Sequence, residues 1–256
     1  KALLGPAARA IRATAQAFAS VEQVQELLAI VEAGDKVYLG IYAGMHEQVR
    51  NNEGYGEFCD ALDAVVPDAA RFPQRTADLV ELYGAAAAAM RPFEAVLEEC
   101  ARGAAAQGAT AKTRVAPLKH VFRVLQKHAT RIDGGKPTEF ETACDIVRGS
   151  VVCGSMGELL RVLGALLALQ AEGRIVIVRI KDRFSLPTAA GWADAMINFV
   201  CLGGSGAAAG HVCEVQLVHA TMLKARKEFG GHNAYAAFRE AVELLECAIG
   251  GFLVEQ

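Results

Sequence analysis

Hydrophobic positions in the first hundred residues recur at intervals of three and four, the spacing that aligns them along one side of a helix. Residues 6–102 are rich in alanine and glutamate and contain almost no alternating β-branched residues. We therefore predict a helical layer of four or five helices in this part of the chain. The pair Gly34-Asp35 predicts a boundary between two of these helices, with the first ending near Ala33.

A different pattern begins after the linker that contains Gly108, because runs of β-branched residues now alternate with helical segments. Four of these runs are predicted to be strands, and they comprise residues 147–153, 174–183, 195–202 and 211–218. Helices are expected between or after them, at residues 157–171, 221–229 and 235–249. The pattern predicts an α+β fold, with an α-helical region at residues 1–108 and a mixed β-sheet domain at residues 109–256.

Composition limits the partners and compartments that suit the chain. It has 256 residues, 53% of them hydrophobic, and can bury a sizeable core. The formal net charge of −3 and the pI of about 6.1 give no overall attraction to nucleic acid or membranes, so such contacts require a local patch. The seven cysteines are widely spaced, which is typical of an intracellular, reducing compartment, with the organelle left open. No stretch approaches the ~18 apolar residues of a membrane span.

Cationic side chains alternate with apolar ones in the second predicted strand. Successive side chains of a strand point to opposite faces of the sheet. Arg179, Lys181 and Arg183 are therefore expected on one face. Val178 and Ile180 are expected on the other, so the first face would carry positive charge.

Two acidic residues are candidates for a metal site. Glu214 and Gln216 are expected to point the same way from the last predicted strand, away from the core. Asp145 precedes the first predicted strand, with Arg148 three residues on. Two carboxylates on adjacent strands could hold Mg²⁺ together with phosphate oxygens. An ion pair or a solvated strand edge is the alternative interpretation of Asp145.

Other common metal and nucleotide motifs are missing from the sequence. The histidines and cysteines show no spacing typical of a zinc site. Neither a P-loop nor a Gly-x-Gly-x-x-Gly turn between a strand and a helix occurs.

A series of blocks in a fixed order carries a family resemblance. The blocks are the predicted helix from Lys119 to Lys127; Asp145-Ile146-Val147-Arg148; Lys181-Asp182-Arg183-Phe184, followed by Pro187-Thr188 and Gly191-Trp192; Cys213-Glu214-Val215-Gln216-Leu217; and His232 with Tyr235. Together they resemble the RelA/SpoT alarmone synthetases, over roughly half of the chain. The combination is most similar to divergent eukaryotic members, which are usually parts of larger proteins.

The resemblance implies a nucleotidyltransferase-like fold with ATP as substrate and Mg²⁺ as cofactor. Asp145 corresponds to the magnesium-binding aspartate, and Glu214 to the glutamate that assists the 3′-hydroxyl nucleophile. Trp192 would stack on the acceptor base, although a core anchor is the alternative. The other candidate nucleotide-binding residues are Lys119, Arg123, Lys127, Arg148, Lys181, Arg183, Gln216 and His232.

The sequence also departs from the family pattern. Ala116-Pro117-Leu118-Lys119 replaces the Gly-Arg-x-Lys signature, and Ala190 replaces the asparagine before Gly191-Trp192. Guanosine-specific recognition is therefore not implied.

Three hypotheses follow for function. The first is Mg²⁺-dependent transfer of a pyrophosphoryl or nucleotidyl group from ATP to a ribose hydroxyl of a nucleotide or RNA. The second is a catalytically inactive copy of the fold, a pseudoenzyme that serves as a binding or scaffolding module in a larger protein assembly through its helical N-terminal region. The third is a nucleotide-sensing domain that performs no transfer.

Overall fold

A computed structural model of the chain describes residues 21–130, 132–133, 136–137, 139–188, 191–202 and 210–228, together with residues 241 and 244. The predictions for residues 6–20, for His232 and Tyr235, and for most of the terminal helix lie outside these residues.

The helical region begins with α1 (Val21–Arg50), α2 (Tyr55–Asp63) and α3 (Leu79–Ala105). Helix α1 continues through Gly34-Asp35 without a break, so the predicted helix end near Ala33 is wrong. A glycine inside a helix costs only about 1 kcal/mol relative to alanine, and the strong helix formers along the rest of α1 offset that cost.

The second half of the chain contains a five-stranded sheet and a separate two-stranded hairpin. The elements in chain order are β1 (Ala111–Val115), α4 (Val121–Thr130), β2 (Ile132–Asp133), β3 (Lys136–Pro137), β4 (Arg148–Cys153), α5 (Met156–Ala171), β5 (Ile175–Asp182), β6 (Ala195–Cys201), β7 (Val212–His219) and α6 (Ala220–Glu228). The large sheet has the order β1-β4-β7-β6-β5. Strands β4 and β7 are parallel, and the other neighbours are antiparallel. The predicted α+β class with a mixed sheet is therefore confirmed.

Strand β1 was not predicted, although the four longer strands were placed to within a residue or two. Its central residues, Lys112, Thr113 and Arg114, are all exposed, so no apolar alternation marks the strand. Pairing with β4 at the edge of the sheet gives β1 its extended conformation.

The two faces of the sheet have different surroundings. On one face, Gly149 lies so close to α3 that an added Cβ would come within 2.7 Å of Leu97 Cδ1. The ring of Phe93 on α3 stacks on Phe199 of β6 with centroids 5.6 Å apart. Helices α3 and α5 pack against each other and share this hydrophobic core with the strands. Residues of both predicted domains contribute to the core, and the division at residue 108 stays a prediction.

A β-bulge between Ile177 and Arg179 changes the predicted alternation on β5. Val178 packs with Val200 and Val212, while Arg179 pairs with Asn198, which lies two residues from Val200 on β6. Val178 and Arg179 are therefore not on opposite faces as predicted, because a bulge adds one residue to the strand and shifts the alternation. Among the residues that the structure describes, none of the helices combines the length and the apolar character that crossing a bilayer requires.

Candidate active site

The sheet brings the two predicted carboxylates to neighbouring strands. Asp145 lies just before β4, and Glu214 is the third residue of β7, which runs parallel to β4. The backbone N–H of Glu214 donates to the carbonyl of Val147 at 2.9 Å. Glu214 also stands in register with Arg148. The adjacent placement predicted from sequence is therefore present.

Two lysines hold the carboxylate of Asp145. Lys119 Nζ lies 2.5 Å and Lys127 Nζ 2.9 Å from the same oxygen, Asp145 Oδ2. Lys119 precedes α4, and its backbone is fixed because its N–H donates to Ile146 at 3.0 Å and its carbonyl accepts from the Tyr83 hydroxyl. Lys127 belongs to the last turn of α4. The eight-residue spacing thus places both ammonium groups on one carboxylate.

This arrangement changes the protonation of its members. Asp145 has only 16% of its side chain exposed, and burial alone would raise its pKa. The charges of Lys127 and Lys119, with their hydrogen bonds, outweigh burial and hold the pKa of Asp145 well below its usual range. Burial lowers the pKa of Lys119 to about 8, although the charge of Asp145 opposes this change. Asp145 therefore remains ionised at neutral pH.

The second oxygen of Asp145 fits a role as a metal ligand. Asp145 Oδ1 is buried and has no hydrogen-bond partner among the described residues. Leaving a buried acceptor unpaired is unfavourable, and a cation would satisfy it. The described part of the chain has no group of three or more Asp, Glu, His or Cys side chains suited to a metal. Two carboxylates with phosphate oxygens and water would nevertheless suit Mg²⁺, which is seldom held by protein ligands alone.

Glu214 differs from Asp145 in its surroundings. It is only 7% exposed, and burial together with the charge of Asp145 raises the pKa of its carboxyl. Lys127, Arg183 and a hydrogen bond from Gln216 Nε2 to Glu214 Oε1, at 3.1 Å, act in the opposite direction without cancelling the rise. A carboxylate with a raised pKa is a better proton acceptor than an ordinary one.

Arg183 reaches this site from the end of β5 and is held by a buried acid. Its Nε and Nη2 atoms lie 2.5 Å and 2.9 Å from the two carboxylate oxygens of Asp194, which is fully buried. The indole N–H of Trp192 donates to Asp194 Oδ2 at 2.9 Å. Asp194 therefore fixes the guanidinium group that acts on the pKa of Glu214.

Trp192 occupies a core position. It is 7% exposed, and its ring meets that of Tyr42 on α1 edge-on, with centroids 5.7 Å apart. The alternative interpretation of Trp192 as a core anchor describes this position, because the ring lacks an exposed face for a base to stack on. Its nucleotide-binding role stays a prediction.

The structure also describes the predicted residues Arg148, Arg123 and Lys181. Arg148 Nη1 makes a long contact of 3.4 Å with the backbone carbonyl of Asp145. Arg123 Nη1 donates to Gln126 on its own helix at 2.6 Å. Lys181 is exposed on β5, two residues from Arg183.

Sequence patterns missed Asn198, which links the strands beneath the site. Asn198 is fully buried on β6, and its Nδ2 donates to the carbonyls of Cys144 and Cys213, both at 3.2 Å. Arg179 Nε donates to Asn198 Oδ1 at 2.9 Å. These bonds fix the residues immediately before Asp145 and Glu214. The only signal in the sequence is a polar residue inside an apolar strand. The carboxylate of Asp194 was missed in the same way.

The chain shows weak similarity to several solved structures. Small alarmone synthetase 1 from Bacillus subtilis, bound to its product pppGpp, is 14% identical over 62% of this chain and 90% of its own, with a TM-score of 0.36. A chain in the complex between the Type VI effector Tas1 and its immunity protein is 16% identical over 67% of this chain and 95% of its own, with a TM-score of 0.35. A GTP pyrophosphokinase family protein from Streptococcus pneumoniae is 12% identical over 66% of this chain and 86% of its own, with a TM-score of 0.34. No protein-family model and no curated protein matches the sequence. At these identities and TM-scores, no inference about activity follows from the likenesses.

Proposed function

We propose that the protein is a Mg²⁺-dependent transferase that moves a pyrophosphoryl or nucleotidyl group from ATP to a ribose hydroxyl of a nucleotide or RNA. One observation carries the proposal. Asp145 is ionised and held by two lysines, and one of its buried oxygens has no partner among the residues that the structure describes, beside the strand that bears Glu214, whose pKa is raised. A low-pKa and a high-pKa carboxylate side by side are typical of a site that divides charge stabilisation from proton transfer.

The cations of the site suit the phosphates of ATP. An ammonium group has three N–H donors, so Lys119 can contact phosphate oxygens while it remains on Asp145, and Lys127 adds positive charge beside it. Arg183 is already ordered by Asp194 and loses little side-chain freedom when it meets an anion. Positioning and charge neutralisation of this kind account for most of the catalysis of phosphoryl transfer.

Glu214 is the group suited to accept the proton of the attacking hydroxyl. Its raised pKa makes it a stronger base, and burial excludes bulk water from it. The hydrogen bond from Gln216 holds the carboxylate in one orientation. Asp145 and Glu214 would hold Mg²⁺, which when bound would polarise the phosphate oxygens.

The proposal is tested by incubation with ATP, Mg²⁺ and a panel of nucleotides and tRNA, followed by chromatography of the products. Asp145→Asn and Glu214→Gln keep the shape of each side chain while removing its charge. We expect both to lower turnover by at least a hundredfold. Glu139→Gln, an exposed residue, is the control and should match the natural protein.

Product formation that is equal in the natural protein and in both site variants would refute the assignment of these two acids. Absence of product with every acceptor, when circular dichroism shows all proteins folded, would favour the inactive alternative.

The burial of Trp192 favours that alternative, a catalytically inactive module in a larger assembly. An acceptor base has no exposed ring at this position to stack on. The two functions differ in their metal dependence, since a scaffold binds its partner equally with and without Mg²⁺.

A further inference from the structure

The register of the sheet places a polar row next to the candidate active site. Arg114 on β1 pairs with Ser150 on β4, and Ser150 pairs with Gln216 on β7. Directly paired residues of neighbouring strands project to the same face. The hydrogen bond from Gln216 to Glu214 shows that this is the face of the candidate site. The row therefore runs from Gln216, which contacts the proposed proton acceptor Glu214, to the exposed edge of the sheet.

Arg114 and Ser150 have side chains that are available to a ligand. Arg114 is exposed on the edge strand, and Ser150 is partly exposed. Within the described part of the chain, neither side chain makes a hydrogen bond or an ion pair. In contrast, Arg183 and Lys119 on the same site are engaged by Asp194 and Asp145. Arg114 is thus a cation of the site face that no acid among the described residues engages.

The spacing along the row suits one nucleotide. Two interstrand spacings of about 4.8 Å put β1 about 10 Å from β7. The 3′-hydroxyl and the 5′-phosphate of a nucleotide project from opposite sides of the same ribose, and a long arginine side chain can shorten the remaining distance. Guanidinium groups bind phosphates with two parallel N–H donors, and a serine hydroxyl can donate a further bond.

From this geometry we infer that Arg114, with Ser150, forms a subsite for the 5′-phosphate of the acceptor, whose ribose hydroxyl lies at Glu214. This inference rests on the proposed function, because Glu214 must face the acceptor. The phosphate can belong to a free nucleotide or to the last nucleotide of an RNA chain, since both present the same anionic oxygens. Lys119 and Lys127 then remain for the donor.

The test measures acceptor binding by isothermal titration calorimetry, with Mg²⁺ and inorganic tripolyphosphate present to occupy the donor side. The titrants are the four nucleosides, their 5′-monophosphates and a short RNA with a free 3′-hydroxyl. The variants are Arg114→Ala, Arg114→Lys and the matched control Lys112→Ala. Lys112 is exposed on the same strand and the same face, but it pairs with Val152, one row farther from Glu214.

We expect Arg114→Ala to weaken binding of the phosphorylated acceptor about tenfold and to leave nucleoside binding unchanged. Arg114→Lys should restore part of the loss, and Lys112→Ala should change affinity less than twofold. Preference for the monophosphates or for the RNA in the natural protein identifies the source of the phosphate.

Equal weakening by Arg114→Ala and Lys112→Ala would overturn the subsite, because it would indicate general attraction of anions to the strand. Natural protein that binds none of the phosphorylated acceptors would overturn it too. The two proposals can fail separately. If Arg114→Ala leaves the rate of transfer unchanged, the subsite is refuted and the enzymatic function is not. If binding depends on Arg114 but no transfer occurs, the enzymatic function is refuted and the phosphate subsite is not.

Discussion

On one face of the five-stranded sheet, Phe199, Val215 and Leu217 are fully buried in the hydrophobic core with α3 and α5. The opposite face carries Glu214 and Asn198, which are also buried but polar. Both sets of side chains come from the same two strands, β6 and β7, in alternation. The apolar residues of the first face stabilise the fold by their burial. The polar residues of the second face need hydrogen bonds or ion pairs to offset the cost of theirs.

This difference has a physical consequence for stability and chemistry. Apolar contacts on the first face are individually weak but numerous, so no single polar partner is essential there. On the site face, burial raises the pKa of Glu214, and two lysines compensate the charge of Asp145. The shifted pKa of Glu214 thus belongs to the second face, on a strand that the apolar packing of the first face holds in place.

The largest effect is expected from a cavity in the apolar face. Phe93 is fully buried on α3 and stacks on Phe199, so Phe93→Ala should lower the free energy of unfolding by about 3–5 kcal/mol. Urea denaturation measured by circular dichroism checks this. Val80→Ala on the exposed side of the same helix is the control and should change stability by less than about 0.5 kcal/mol. Similar losses in both variants would break the comparison between the faces.

Removal of a buried acid on the site face should cost somewhat less. Asp194→Ala leaves Arg183 and the indole of Trp192 without their partner, and we expect a loss of about 3 kcal/mol. Trp192→Phe removes the indole hydrogen bond and part of a buried ring, and should cost about 2 kcal/mol. Trp192 is the only tryptophan, so its emission in Asp194→Ala reports whether the indole remains buried. An Asp194→Ala variant as stable as the natural protein would show that the ion pair does not organise this face.

The elements that the sequence predicted correctly are those whose apolar pattern decides their structure. Strands β4, β5, β6 and β7 have continuous or alternating β-branched residues, and their ends were placed within a residue or two. Strand β1 has exposed Lys112 and Arg114, and only pairing with β4 makes it extended. The bulge in β5 left no mark in the sequence either, because it depends on pairing with β6.

The candidate site was predictable as far as residue type and strand order define it. Asp145 and Glu214 were expected on adjacent strands, and Lys119 and Lys127 were expected to bind phosphate; the structure brings these four together, and their roles stay predictions. The partners that fix the site were not predictable. Asp194 and Asn198 follow ordinary apolar neighbours in the sequence, and their contacts with Arg183 and with backbone carbonyls depend on the tertiary fold.

Acidic pH should lower the free energy of unfolding through a buried histidine on the apolar face. His211 is 3% exposed, neither ring nitrogen has a partner among the described residues, and burial lowers its pKa to about 4. A lowered histidine pKa gives stability that is complete above the unfolded pKa of about 6.5 and is lost as pH falls toward 4. We expect a loss of about 2 kcal/mol between pH 8 and pH 5.

Denaturation of His211→Phe at the same two pH values isolates this contribution. The pKa of His219 is lowered too, and both proteins share its effect, so only the difference between them belongs to His211. An unchanged pH dependence in His211→Phe would place the acid sensitivity elsewhere.

The smallest stability change, and the sharpest contrast with the apolar face, is expected for Glu214→Gln. Because the folded-state pKa of Glu214 is raised, its ionisation opposes folding once pH exceeds the unfolded value of about 4.3. The amide cannot ionise and keeps an oxygen that can accept the bond from Gln216. We therefore expect the variant to be zero to about 1 kcal/mol more stable than the natural protein at pH 8, and equal to it at pH 4. Urea denaturation at both pH values measures this, beside the loss of transfer. A carboxylate that is retained for chemistry makes the folded protein less stable than a neutral side chain would at the same position. A clear loss of stability in Glu214→Gln at pH 8 would therefore mean that Glu214 is instead a structural partner of Lys127 and Arg183.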